Sequence, residues 1–337
     1  MKRKVLVTGA AGYIGSVLVR QLLDRGYAVR ALDYLRFGGE SLLGLLDHED
    51  FEFVKADVRD SEAVRAAMSG VWAVAHLAAV VGDPACKQEP ELARSVNLTA
   101  SRSVYQEAEA AGVERFVFAS TCSNYGKMAD GAALVTEESE LRPVSLYAET
   151  KVEFERYLLS QPRTATCAPT CLRFSTVYGI SPRMRFDLTV NEFTRDLVMS
   201  RELMIFGEHF WRPYCHVRDL ARSMVAVLEA GHELVAFEVF NVGDTAENYQ
   251  KATIVDRIRE QVPDARVEYV HKDEDPRDYR VSFAKIRDVL DFHVTRTVPD
   301  GISEIKDILT AGFLIDPYDP KFGNTTAKPA PSISRAE

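Results

Sequence analysis

The chain has 337 residues, 46% of them hydrophobic, and a formal net charge of −9. That length suffices for a large core or two lobes, and an acidic balance with no basic block argues against nucleic acid as a partner. No signal peptide precedes the first apolar run and no run is long enough to span a membrane, so a cytoplasmic protein without a membrane partner is expected.

Val5, Leu6 and Val7 read as a strand buried on both faces. Gly9, Gly12 and Gly15 then punctuate a tight turn, and Ser16–Leu23 reads as a helix. A glycine turn from strand to helix lets backbone N–H groups close on a phosphate at the positive helix end, or it is a turn and nothing more. The spacing is G-x-x-G-x-x-G, not the commoner G-x-G-x-x-G. The next run, Tyr27–Leu32, ends in Asp33, where a carboxylate would accept from a ribose hydroxyl and repel a 2′-phosphate. NAD is therefore expected over NADP, although Arg30 and Arg36 lie close by.

Strands follow at Phe51–Lys55, Trp72–Leu77, Arg115–Ala119 and Thr170–Phe174. Helices alternate with them at Ser61–Met68, Leu92–Gly112 and Leu146–Leu159. The alternation predicts a doubly wound parallel α/β sheet with ligands beyond the strand ends. Those ends are Gly9–Gly15, Asp33, Asp57, Ala78–Ala79, Ser120–Ser123 and Phe174–Tyr178. After Tyr178 the pattern breaks. Helices are expected around Leu188–Ser200, His216–Ala230, Lys251–Gln261 and Phe283–Leu290, with strands at Leu203–Phe206, Phe237–Val242 and Val267–Val270. From Pro317 the chain is rich in Pro, Ser, Thr and Lys and reads as a tail without a core.

Cysteines 86, 122, 167, 171 and 215 are odd in number and scattered, which fits reduced thiols. No second Cys or His pair joins Cys167 and Cys171, so no metal site is expected.

Tyr147 and Lys151 stand one helical turn apart on one face. An ammonium there would favour phenolate and ready Tyr147 to take a proton from a hydroxyl. Ser120-Thr121 ends the preceding strand, where a hydroxyl could bond the reacting oxygen.

These motifs occur in order with Asp57-Val58, His76-Leu77-Ala78-Ala79, Asn97, Tyr125-Gly126, Leu172-Arg173-Phe174, Val177-Tyr178-Gly179, Arg212-Pro-Tyr-x-His-Val-x-Asp219 and Phe240-Asn241-Val242-Gly243. The set resembles an extended short-chain dehydrogenase/reductase of the NAD-dependent epimerase/dehydratase group, whose members act on nucleotide sugars. The resemblance implies a Rossmann sheet with a smaller C-terminal α/β substrate domain. It implies that Gly9, Gly12, Tyr13, Ile14 and Gly15 receive the pyrophosphate, that Asp33 holds the adenosine ribose and that Asp57 and Val58 flank the adenine. Leu77, Ala78, Ala79, Asn97 and Phe174 would serve the cofactor as well. Tyr147 would be the base, Lys151 its tuner and a ligand of the nicotinamide ribose, and Thr121 the group that polarises the sugar oxygen. Arg212, and more loosely Arg277, would meet the nucleotide diphosphate; Arg212 could instead pair internally with Asp219 or another acid.

Departures narrow the reaction. Where 4,6-dehydratases of the family follow Thr with Asp and Glu, this chain has Cys122 and Ser123, neither a carboxylic acid. The expectation is epimerisation, at C4, by transient oxidation and return of hydride. A keto-sugar reductase using NAD(P), a dehydratase of the same family and a non-catalytic NAD-binding regulator are the alternatives. Cys122 is either a second acid–base group or a packing residue. Asp83, Lys87, Ser123, Arg183, Arg185 and Asn191 are the polar residues expected at the substrate rim, unless the charged ones are simply solvated. The expected organisation is a cofactor domain of residues 1–178 plus about 215–243, a substrate domain of 179–214 plus 244–316, and a tail from 317. Helices Leu92–Gly112 and Leu146–Leu159 resemble the family's dimer helices, so a homodimer is expected.

Overall fold

The computed structural model describes residues 2–127, 133–199, 203–264, 266–270 and 278–325. Seven parallel strands form the central sheet: β1 (Lys4–Thr8), β2 (Ala28–Asp33), β3 (Phe51–Lys55), β4 (Ala73–His76), β5 (Arg115–Thr121), β6 (Ala168–Phe174) and, later in the chain, Glu238–Val242. Their spatial order runs β3-β2-β1-β4-β5-β6 and ends on Glu238–Val242. The connections reverse direction at β1, so a crevice opens between the carboxyl ends of β1 and β4, as in other doubly wound sheets. Side chains of β1 alternate as the pleat requires: Val5 and Val7 enter the core on one face and Leu6 the core on the other.

Helices α1 (Gly15–Asp24) and Val217–Glu229 cover the first face. The second carries α2 (Ser61–Ala67) and a long helical run. Within that run α3 (Asp83–Gln88) and α4 (Pro90–Arg94) precede a π turn over Ser95–Ala100, α5 (Ser101–Ala110) continues it, and α6 (Leu146–Leu159) packs alongside. The expected single helix Leu92–Gly112 thus contains a π turn, in which Asn97 Oδ1 accepts from Val80 N at 2.8 Å and Nδ2 donates to Val80 O at 3.0 Å. The stretch after β4, to which the sequence assigned no element, forms α3, with Pro84 in its first turn.

Beyond β6 the chain builds smaller units. β7 (Thr176–Tyr178) and β9 (Trp211–His216) pair in parallel, while β8 (Leu203–Phe206) pairs with a strand over Val267–Val270. β9 escaped the sequence reading because Pro213 cannot donate to a ladder. Its antiparallel partner lies beyond α8 (Val217–Glu229), the short α9 (His232–Val235) and β10 (Glu238–Val242), and is the three-residue β11 (Asn248–Gln250). α7 (Thr189–Val198), α10 (Lys251–Gln261) and α12 (Val298–Thr310) enclose an apolar cluster that includes Val190, Leu197, Ile254, Ile258 and Ile302. β12 (Val267–Val270) and α11 (Ala284–Leu290) complete the elements. α12 is absent from the sequence expectation, although Thr297 N and Oγ1 both donate to Asp300 Oδ2, at 2.8 and 2.7 Å, and this Thr-x-x-Asp start is legible.

The segment expected to be a coreless tail is packed as far as the described residues extend. Phe322 sits edge-on to Phe186 at 5.6 Å, Phe186 N donates to Phe322 O at 2.8 Å, and Arg195 lies 4.3 Å over the Tyr318 ring. Two aromatic anchors in an otherwise polar stretch suffice to pin it. No helix among the described residues is long and apolar enough to cross a membrane.

Candidate active site

One crevice runs from the end of β2 to the start of α6. Its walls hold Gly9, Gly12, Tyr13, Ile14, Gly15, Asp33, Asp57, Val58, Leu77, Ala78, Ala79, Thr121, Tyr147, Lys151, Phe174, Arg183 and Arg185, all residues expected at the site. Gly9 adopts φ +73°, and a Cβ there would stand 2.8 Å from the Ala78 nitrogen. Only glycine lets β1 turn while the loop after β4 lies against it. Asp33 braces the same turn: Oδ2 accepts from Ala11 N at 2.9 Å and Oδ1 from Leu35 N at 2.7 Å. Burial raises its pKa and these backbone donors pull against that, and each carboxyl oxygen retains acceptor capacity on a residue that lines the crevice. Asp57 is held by Arg59; burial would raise its pKa, but the guanidinium prevails and holds it below the ordinary value.

At the far end Thr121 closes β5 in register with Phe174 of β6. Ser145 caps α6 by accepting from Ala148 N at 3.3 Å, which fixes the helix start and aims Tyr147 and Lys151 at the crevice. The Tyr147 phenol is pushed above its ordinary value, chiefly by burial and also by Cys86 and Asp83, while Arg185 and a hydrogen bond with Thr121 pull it down. Burial draws Lys151 down to about 8. Its Nζ donates to Ala119 O at 2.8 Å and stands 5.9 Å from the centre of the Tyr147 ring. The sequence expected the ammonium to sharpen the phenol; here Lys151 donates to a carbonyl while lying beside the Tyr147 ring, and Arg185 is a further cation that favours the phenolate.

Other expected residues stand off the crevice walls. Cys122 is buried off the crevice with its Sγ donating to Arg173 O at 3.1 Å, and burial pushes its thiol far up. Ser123 lies behind Thr121, to whose Oγ1 its N–H donates at 3.1 Å. Asn97 brackets the loop at Val80 instead of facing the crevice. Asp83 accepts from Ser145 Oγ at 2.6 Å, and Lys87 is exposed on α3. Asn191 is fully buried, accepting from Gly179 N at 2.9 Å and donating to Arg185 O at 2.8 Å. Arg212 is buried 5.2 Å from the Tyr279 ring centre, away from the crevice. Arg277 lies outside the described residues.

Sequence reasoning missed Phe37, Leu220 and Asn324 on the walls. None carries a motif: Phe37 follows Asp33 by four, and Asn324 arrives only because its segment packs back against Phe186 and Asp187. It missed as well the support beneath Thr121, where Ser120 Oγ donates to Glu155 at 2.8 Å and Glu155 pairs with Arg173, both side chains at most 5% exposed.

A sequence model of the NAD dependent epimerase/dehydratase family matches residues 5–243. A dTDP-glucose 4,6-dehydratase of Streptomyces griseus is 30% identical, over 90% of this chain and 93% of that protein. Among solved structures, a UDP-glucose 4-epimerase of Thermotoga maritima with UDP-glucose superposes with a TM-score of 0.82 at 26% identity, covering 92% of this chain and all of the other. A UDP-glucose 4-epimerase of Thermus thermophilus in complex with NAD gives 0.78 at 26% identity, covering 90% and 98%.

Proposed function

From the premise that this chain belongs to the NAD-dependent epimerase/dehydratase family, we propose that it is an NAD-dependent nucleotide-sugar epimerase that inverts one ring carbon, most simply C4. The observation carrying this reading is that a single crevice joins the Gly9–Gly15 turn and Asp33 to Tyr147, Thr121 and Lys151. The site fits the cofactor: the turn has no room for a Cβ at Gly9, and Asp33 keeps lone pairs for a ribose hydroxyl. NAD, when bound, supplies reversible oxidising power beside the sugar carbon. Tyr147 takes the hydroxyl proton and returns it, which at a positioned side chain contributes about 10²–10⁴-fold in rate. Thr121 holds the reacting oxygen, and the Arg185 charge eases ionisation of the phenol. Lys151 holds the nicotinamide ribose. Residues 1–178 with about 215–243 serve the cofactor, and 179–214 with 244–316 the nucleotide sugar.

Relatives named as dehydratases make elimination of water the second reading. Against it, no carboxylic acid follows Thr121, and the residue that does is a buried thiol. Five buried, free cysteines suit a reducing cytoplasm, and we read the protein as a homodimer through α5 and α6.

The test is incubation with UDP-glucose and other nucleotide sugars, followed by NMR of the anomeric and ring protons. Inversion without net NADH is expected. Net consumption of NADH would make the protein a reductase, and loss of water a dehydratase. Tyr147→Phe should bind NAD and lose turnover; undiminished turnover overturns the assignment.

A further inference from the structure

The segment leaving β7 is stitched to the glycine turn. Tyr13 donates its phenolic hydrogen to Gly179 O, Ser181 Oγ donates to Tyr13 O at 2.7 Å, and the Ser16 and Ser181 hydroxyls lie 3.2 Å apart. This segment brings Arg183 into the crevice wall. Arg183 is 8% exposed. Its guanidinium lies 4.4 Å from the centre of the Phe37 ring, and Nη2 donates to Gly323 O at 3.1 Å. Nη1 is buried and has no hydrogen-bond partner among the described residues.

The neighbouring charges do not satisfy this cation. Arg185, equally buried, already holds both carboxylate oxygens of Asp187, at 2.8 and 2.9 Å. Asp33 is engaged by two backbone N–H groups. Burial and the Arg185 charge pull Arg183 down to about 10. A buried guanidinium with an unused N–H, on the wall of a crevice, is complementary to an anion. The sequence placed Arg183 with the substrate. Its neighbours here are Phe37 and Asp33, at the dinucleotide end.

We propose that Arg183 is a ligand of the cofactor's diphosphate, reaching it from the segment after β7 and held in place by Phe37 and the Gly323 carbonyl. The proposal rests on the crevice being the NAD site. Tyr13 and Gly15 then hold the dinucleotide from the turn, while Arg183 holds it from a part of the chain about 170 residues further on, after the first six strands of the sheet.

The full-length protein, stripped of nucleotide, is titrated calorimetrically with NAD, ADP-ribose and adenosine, as wild type, Arg183→Gln and Arg183→Lys. One charge-assisted hydrogen bond corresponds to about tenfold to a hundredfold in affinity. Arg183→Gln should weaken NAD and ADP-ribose by that factor and leave adenosine unchanged, with Arg183→Lys intermediate. UDP binding to the NAD-loaded variant should match wild type. Melting of the nucleotide-free proteins checks that they fold; if Arg183→Gln does not, Arg183→Lys carries the comparison. ADP-ribose bound equally by wild type and variant, or a loss confined to UDP, overturns the proposal and leaves the function standing. A wild type that binds no NAD overturns both.

Discussion

At the residue scale, burial decides which titratable groups work and which are structural. His76 stands at the end of β4 with Nδ1 2.8 Å from Thr8 Oγ1 and Nε2 2.9 Å from Ser101 Oγ. Burial first, and the Lys151 charge second, lower its pKa to about 3. Above pH 6.5 it is neutral folded or unfolded and costs nothing. Between about 6.5 and 3 the unfolded chain binds a proton that the folded one refuses, so stability falls as acid is added. Urea unfolding across that range should lose about one proton of slope in His76→Asn. An unchanged slope would mean that the imidazole charges within the fold. The histidine was legible as part of a strand-end motif. Its neutrality was not, because that depends on the aromatic rings of Phe116, Phe118 and Phe154 packed around it.

At the element scale, α6 carries the candidate chemistry and its own support on one face. Tyr147, Lys151 and Glu155 follow at intervals of four, so they stack along the helix. The first two reach the crevice; the third is 1% exposed and pairs with Arg173 of β6. Ser120 and Tyr125 extend this network, Tyr125 donating to Asn241 Oδ1 at 2.7 Å. The strand end that bears Thr121 is thereby tied to α6, β6 and β10. Glu155→Ala leaves the Arg173 guanidinium buried without its carboxylate and should cost about 3–5 kcal/mol of unfolding free energy. Chemical denaturation checks this, and a loss below about 1 kcal/mol would show that the pair is not needed. The Tyr-x-x-x-Lys spacing was readable. Glu155 was not, since an acid two turns on looks solvated until β6 is known to cover it.

At the scale of the whole molecule, the segment around Gly323 and Asn324 returns to the crevice near Arg183 and Asp187. Asn324 lines the wall, its N–H donates to Asp187 Oδ2 at 3.0 Å, and Gly323 accepts from Arg183. Phe322→Ala removes the anchor against Phe186, so NADH bound to the full-length protein should dissociate faster in a fluorescence displacement assay. An unchanged rate would show that the strap does not hold the cofactor. The parallel sheet, the glycine turn, Asp33 and the Tyr147–Lys151 pair were determined by sequence alone, because each is a local pattern: an apolar run, a turn that tolerates only glycine, a helical spacing. Tertiary structure alone decided that Arg183 and Asn324 reach the crevice wall, that Arg185 adds its charge to the surroundings of the phenol, and that Cys122 and Asn191 are buried. Those outcomes depend on which segments, distant in sequence, lie against each other, and on how much water their packing removes.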